Sequence, residues 1–335
     1  MSEGNPITPA KSARPTPDLR PDTEASTPAR GAQPTSPPSP AQRGEAERRK
    51  ESWTILELLR WTTRHFRECG IESARLDAEC LLSFSLGVER VRLYLDFDKP
   101  VTPEERRVFR ELVRRRGSDR VPVAQLLGRK EFWSLSLRVT GEVLAPRPET
   151  ETLVLTALDL LEDREAPARV LDLGTGSGAV ALALAIERPR AQVTATDVSP
   201  AALEVARSNA DELGLARRVR TLRGNLFEPV AGERFDLVVS NPPYVAESRR
   251  SELPPELAHE PPEALFAGPD GLDVLRWLVR GVGSVLAPGG GVALELSPEQ
   301  ADTVAGWCRE AGLLDVNVRR DLAGRPRVVA ARGGA

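Results

Sequence analysis

This chain has few residues suited to metal binding or soft nucleophilic chemistry. It holds three cysteines and two histidines in 335 residues. Cys69, Cys80 and Cys308 fall into no CxxC or Cys/His ligand spacing, which excludes a zinc or disulfide framework. They read as buried or half-buried thiols, suited to a reducing cytoplasm, the expected location. His65 and His259 are isolated, so neither is assigned any catalysis. No apolar run approaches the ~20 residues that span a bilayer, so no membrane role is expected. The start of the chain lacks the apolar stretch of a secretory signal and reads as a tail rather than an export address. Positive charge is not in excess: the net charge is −3. With no global field to draw a phosphate backbone, the expected partner is a protein or small molecule, not nucleic acid. No internal repeat is visible.

What is present is the balance of a soluble globular protein, 40% hydrophobic and 28% charged, with length for about two domains. Residues 1–50 hold ten of the 29 prolines and no apolar periodicity, and are expected to be a disordered tail. From Ser52 the pattern changes. Ile55, Leu58, Leu59, Thr62 and Phe66 recur at helical spacing up to Gly70. A second helix is predicted from Ser73 with Leu76, Cys80 and Leu81 inward, and a third over Val88 to Phe97. A fourth starts at Thr102-Pro103-Glu104-Glu105, a capping box with proline at the first helical position, and buries Val108, Phe109, Leu112 and Val113. Residues 51–120 therefore read as a small helical bundle.

Residues 121–149 read as a hairpin linker: Leu135, Leu137 and Val139 alternate with polar residues, Thr140-Gly141 marks a turn, and Val143 to Ala145 is predicted to return as the second strand. From 150 to 335 strand and helix patterns alternate, with strands expected at Val170–Leu173, Gln192–Thr196, Val219–Leu222, Phe235–Ser240 and Gly291–Leu296. This is the signature of an open, mostly parallel α/β sheet. Asp315–Val318 and Arg327–Ala331 suggest a terminal antiparallel pair.

The first of these strands runs through Asp172 into Gly174-Thr175-Gly176-Ser177-Gly178, a glycine-rich turn that allows a ligand close approach to the backbone. No Gly-Lys-Ser/Thr follows, which removes a P-loop. Asp197 ends the next strand, where a carboxylate can accept both hydroxyls of a ribose. These features fit S-adenosylmethionine, with Asp172 toward its cationic amino and sulfonium end, and also fit a dehydrogenase nucleotide site. Asn225 stands after the third strand, where an acidic residue usually accepts the adenine amine, and Leu226 would pack on the adenine face.

The fourth strand runs directly into Asn241-Pro242-Pro243-Tyr244. A planar NH₂ is a poor nucleophile because its lone pair is delocalised. Two acceptors, the Asn241 side-chain oxygen and the Pro242 carbonyl, can favour the pyramidal form, while Tyr244 stacks on the flat group. In-line alignment supplies much of the remaining acceleration. Asn241, Pro242 and Tyr244 are the expected catalytic residues, with Pro243 completing the acceptor-binding corner. Asn241 is also expected to border the cofactor.

On these residues, with Arg75-Leu-Asp-Ala-Glu79, Gly128-Arg-Lys-Glu-Phe-Trp133, Pro146-Arg-Pro-Glu-Thr-Glu151, Glu260-Pro261, Gly271-Leu272-Asp273, Glu295 and Asp321-Leu-Ala-Gly-Arg325, the chain resembles the release-factor glutamine N5-methyltransferases, the HemK-like family, from Ser52 to its C-terminus. The resemblance implies a seven-stranded Rossmann-like class I methyltransferase sheet with a helical substrate-binding domain, S-adenosylmethionine as methyl donor, and the Gly-Gly-Gln glutamine of class 1 peptide chain release factors as acceptor. Asn225 and the long tail depart from the family pattern. Three other readings compete: a nucleic-acid methyltransferase acting on adenine N6 or guanine N2, which must extrude its base; a glutamine methyltransferase for a ribosomal protein; and a cofactor-binding module without catalysis.

Overall fold

The computed structural model describes residues 52–334; the tail expected over residues 1–50 lies outside them. The chain divides into two compact units at Arg120/Val121. Among the described residues, no helix is long and apolar enough to cross a membrane.

The first unit is built from α1 (Ile55–Glu68), α2 (Ala74–Leu86), a single turn α3 (Arg92–Leu95) and α4 (Pro103–Gly117). The predicted capping box of Thr102 with Glu105 opens α4 behind Pro103, and a second one, of Thr54 with Glu57, opens α1 without having been singled out in the sequence. Leu58, Leu59, Phe66, Leu81, Leu82 and Phe109 fill the interior. Three expectations fail here, the first being Val108 of α4, which is exposed rather than buried. The helix predicted over Val88–Phe97 shrinks to α3 because Val91, Leu95 and Phe97 are all exposed, leaving only Leu93 to anchor it. On α2, Leu76 faces outward and Ala74 and Ala78 face inward, together with two acids. Asp77 pairs with Arg116 at 2.7 Å in the interior, and Glu79 takes Arg75 and the Tyr94 hydroxyl, each at 2.5 Å. Ion pairs thus tie the Arg75–Glu79 segment into the bundle.

The second unit opens with α5 (Val123–Leu127) and a hairpin of β1 (Arg129–Phe132) and β2 (Leu135–Arg138). Its partner strands differ from the expectation. The two-residue turn is Trp133-Ser134, both at positive φ (52° and 58°), the twist that a tight hairpin needs. A tryptophan there gives no turn signal, and tertiary bonds hold it: Trp133 Nε1 donates to Glu187 at 2.9 Å and its backbone N–H to Glu151 at 3.3 Å. Val143–Ala145 forms no strand. It runs as a buried segment against Ala202 and Val205.

Beyond α6 (Glu151–Leu160) come β3 (Ala168–Leu173), α7 (Ala179–Glu187), β4 (Ala191–Asp197), α8 (Pro200–Glu212), β5 (Val219–Arg223), β6 (Phe235–Ser240), α9 (Asp273–Val282), β7 (Leu286–Glu295), α10 (Ala301–Glu310), β8 (Leu314–Arg320) and β9 (Pro326–Arg332). All seven expected strands are present, in the order β5-β4-β3-β6-β7-β9-β8. β3 to β7 are parallel, and β9 runs antiparallel to both its neighbours. Helices cover both faces, so the central strands are apolar on each side. Val170, Leu237 and Val239 pack into one layer, and Leu171, Val238 and Leu294 into the other. Strand order reverses at β3, with β4 and β5 extending the sheet to one side and β6 and β7 to the other, and a crevice opens there beyond the carboxyl ends of the strands.

Candidate active site

That crevice is a cavity of about 760 Å³. Asp172, Gly174, Thr175, Gly176, Ser177, Asp197, Asn225, Leu226, Asn241, Pro242 and Pro243 all lie on its wall. Of the residues singled out from sequence, Gly178 and Tyr244 do not.

The glycine turn is held by its own neighbourhood. Gly174 and Gly176 have φ of 70° and 53°, which side chains rarely adopt, and a Cβ on either would meet no protein atom within 4 Å. The backbone therefore faces open space, as a ligand site requires. The N–H groups of Gly174 and Thr175 both donate to Thr196 O at 2.9 Å, locking the turn to the end of β4. Gly178 instead starts α7 and packs on Ala206 of α8. Asn209 of α8 clamps the same turn to the hairpin: its Nδ2 donates to Ser177 O at 2.8 Å and its Oδ1 accepts from Arg138 N at 2.7 Å.

Two carboxylates face the cavity across this turn. Asp172, 2% exposed, accepts from the Thr175 hydroxyl at 2.6 Å. Burial pushes its pKa up to about 6, against the pull of Thr175 and the Ala181 N–H. Asp197 accepts from Gly176 N and Ser199 N, both at 2.9 Å, one on each oxygen. Each oxygen keeps a lone pair for a further donor. Burial raises this carboxyl as well. Asn225 is exposed, with its backbone oxygen accepting from Glu228 N. Leu226 is held at φ 47°, a strained value for leucine, which projects it onto the wall. Trp277 of α9, 58% exposed, forms part of the wall too. Nothing in its helical stripe distinguished it in the sequence.

The Asn-Pro-Pro-Tyr corner leaves β6 with Ser240 Oγ bonded to Leu173 O at 2.7 Å, which fixes the two strand ends side by side. Asn241 Nδ2 donates to Thr150 Oγ1 at 3.2 Å. Tyr244 turns away from the cavity. Its ring packs against the second core layer and its hydroxyl reaches Glu295 Oε1 at 3.4 Å. Glu295 thus offers the Tyr244 hydroxyl a buried acceptor. Burial raises the tyrosine's pKa and lifts Glu295, at the end of β7, to about 7. Gln300 completes the support: its Nε2 donates to Tyr244 O and Gly271 O, both at 3.0 Å, and its Oε1 accepts from Ser297 N. Gly271 approaches so closely that a Cβ would lie 2.4 Å from Tyr244 O. Sequence reasoning did not assign Thr150, Glu295 or Gln300 to the site.

Pro146 and Pro261 reach the wall, but Glu260 does not. Its buried side chain binds Arg147 at 2.6 Å and accepts from Ala145 N at 3.3 Å, tying the two proline segments together.

The sheet order, the glycine turn after its central strand and the acceptor corner on the adjacent strand define a Rossmann-like class I methyltransferase. Family comparison agrees. Residues 57–128 match the PrmC N-terminal domain and residues 151–269 the methyltransferase small domain. The chain is 45% identical over 284 residues to a release factor glutamine methyltransferase of Rhodopirellula baltica, covering 83% of this chain and 95% of that one. It is also 45% identical over 287 residues to one of Geobacter sulfurreducens, covering 85% and 98%. The solved hMettl16 catalytic domain is similar in fold alone, at 16% identity and a TM-score of 0.50, covering 69% of this chain and 80% of that one. The chain belongs to the release factor glutamine methyltransferase family.

Proposed function

We propose that this enzyme transfers a methyl group from S-adenosylmethionine to the side-chain nitrogen of the glutamine in the Gly-Gly-Gln motif of class 1 peptide chain release factors, in the cytoplasm. The observation that carries the chemistry is the Asn241 amide on the cavity wall, its nitrogen engaged by Thr150 and its oxygen left for an incoming NH₂. Family membership supports the acceptor.

The residues present fit the methyl donor. Gly174 and Gly176 leave open space against the backbone, Asp197 retains acceptor capacity for ribose hydroxyls, and Asp172 places a buried carboxyl where a cationic end can be matched. Asn225 and Leu226 are assigned to the adenine, as acceptor and packing face, and Thr175 and Ser177 to the turn around the methionine portion. When bound, the donor supplies an electrophilic methyl on a sulfonium. Asn241 Oδ1 and the Pro242 carbonyl each accept one N–H of the target amide, favouring a lone pair directed at the methyl carbon. Pro243 stiffens the corner. Tyr244 supports it from behind through Glu295. The proton lost by the amide passes to solvent. The helical unit is assigned to holding the protein substrate.

The test is to incubate the enzyme and labelled S-adenosylmethionine in parallel with a release factor, the same factor with its Gly-Gly-Gln glutamine replaced, a ribosomal protein and DNA. Label is expected on the first alone, mapped to the glutamine side chain. Label on the replaced factor, or on DNA, would defeat the reading.

A further inference from the structure

A planar carboxamide offers an acceptor on one branch and a donor on the other, so rotating Asn241 by half a turn reverses what it presents to the cavity. Packing barely distinguishes the two orientations, because oxygen and NH₂ are close in size. A hydrogen-bond partner must decide. The partner is Thr150 Oγ1, 3.2 Å from Asn241 Nδ2 and 91 residues away in sequence.

A hydroxyl by itself could serve either orientation, since it carries one proton and free lone pairs. The Thr150 hydroxyl is not by itself. It lies beside the Glu295 carboxyl, whose ionised form it favours. That side chain is 0% exposed, and its Oε2 has no hydrogen-bond partner. Above the pKa of about 7 that burial gives Glu295, the carboxylate only accepts, so the Thr150 proton is drawn to it. A lone pair is then left facing Asn241, and only the NH₂ branch of the asparagine can use it.

Building on the methyl-transfer reading above, we infer that Thr150, backed by Glu295, is a positioning residue that holds the Asn241 amide with its oxygen toward the cavity. Thr150 acts through Asn241. Without its hydroxyl the amide turns freely, and in the wrong orientation it presents donors to a substrate NH₂ that is itself a donor. The loss therefore falls on turnover and spares binding of the methyl donor.

Two substitutions separate this from a packing role. Thr150→Val keeps the branched shape and removes the hydroxyl, whereas Thr150→Ser keeps the hydroxyl and removes a methyl. Thr150→Val is expected to lower kcat on a release factor about 10- to 100-fold, with the dissociation constant for the methyl donor within about twofold of wild type. Thr150→Ser should stay within about threefold of wild-type kcat. Thr150→Ala gives the same reading should the valine variant not fold. Wild-type turnover in the valine or alanine variant, an equal fall in the serine variant, or a loss confined to donor affinity would overturn the assignment. A wild-type enzyme that methylates no glutamine would instead sink the functional reading, so the two failures are distinguishable.

Discussion

The two halves of the cavity sit on neighbouring strands yet are held in opposite ways. On the donor side, Thr175 bonds Asp172 three residues back, Ser199 N bonds Asp197 two residues back, and Gly176 N reaches Asp197 over 21 residues. Backbone groups do much of this work, inside one β-α-β segment. On the acceptor side, Asn241 leans on Thr150 over 91 residues, Gln300 on Tyr244 O over 56, and Tyr244 on Glu295 over 51. There the supports are side chains brought from other elements. A half built from local backbone bonds forms whenever its strand and helix form. A half built from distant side chains depends on the whole sheet being assembled, and each support can be removed separately.

That difference yields predictions that can break it. The largest effect is expected from Gly176→Val, which forces a β-branched residue to φ 53° and projects carbons into the open space before the turn. Affinity for the methyl donor should fall several hundred-fold by calorimetry, at the upper end of single-substitution effects. An unchanged affinity would mean that the donor lies elsewhere. Asp197→Ala comes next: it leaves Gly176 N and Ser199 N without acceptors and removes the ribose partner, so donor affinity should fall about 10- to 100-fold. Turnover at saturating donor should stay within a few-fold. A fall in kcat without a change in affinity would erase the division between the halves.

On the acceptor side, Glu295 gives a pH signature. Its folded pKa is raised from 4.5 to about 7 by burial, so the native state holds the proton more tightly than the unfolded chain. Its contribution is fully present below about pH 4.5 and is lost as pH rises through about 7. Glu295→Gln should flatten the decline in thermal stability over that window and raise Tm at pH 8 by a few degrees. A lower Tm at pH 8 would show that the ionised carboxyl is better paired than its geometry suggests. The smallest effect is expected from Asn225→Asp on the exposed rim, which restores a charge-assisted acceptor for the adenine amine and should tighten donor binding about fivefold, or about 1 kcal/mol. No change would remove Asn225 from the adenine contact.

The same contrast explains what was readable in the sequence. Every strand of the large sheet, the capping box at Thr102 and the glycine turn depend on short-range patterns, and their positions followed from the residues. The corner at Asn241 was visible as a motif, but its supports were not. Thr150 lay within a proline segment to which no role at the site was assigned, and Glu295 sat at the end of an apolar strand. Only the paired register of β6 with β7 brings Glu295 behind Tyr244. The hairpin was misplaced because Trp133-Ser134 makes a tight turn without glycine or asparagine. The α3 helix was overextended because an apolar run was taken as buried when most of it is exposed.

The most direct measurement is on Asn241→Ala, following donor binding by calorimetry and methyl transfer to a release factor by single-turnover kinetics. The account predicts transfer slowed about 100- to 1000-fold with donor affinity within about twofold of wild type. Weak donor binding together with unaltered single-turnover transfer would contradict it, placing Asn241 in the cofactor half and leaving the acceptor nitrogen to some other group.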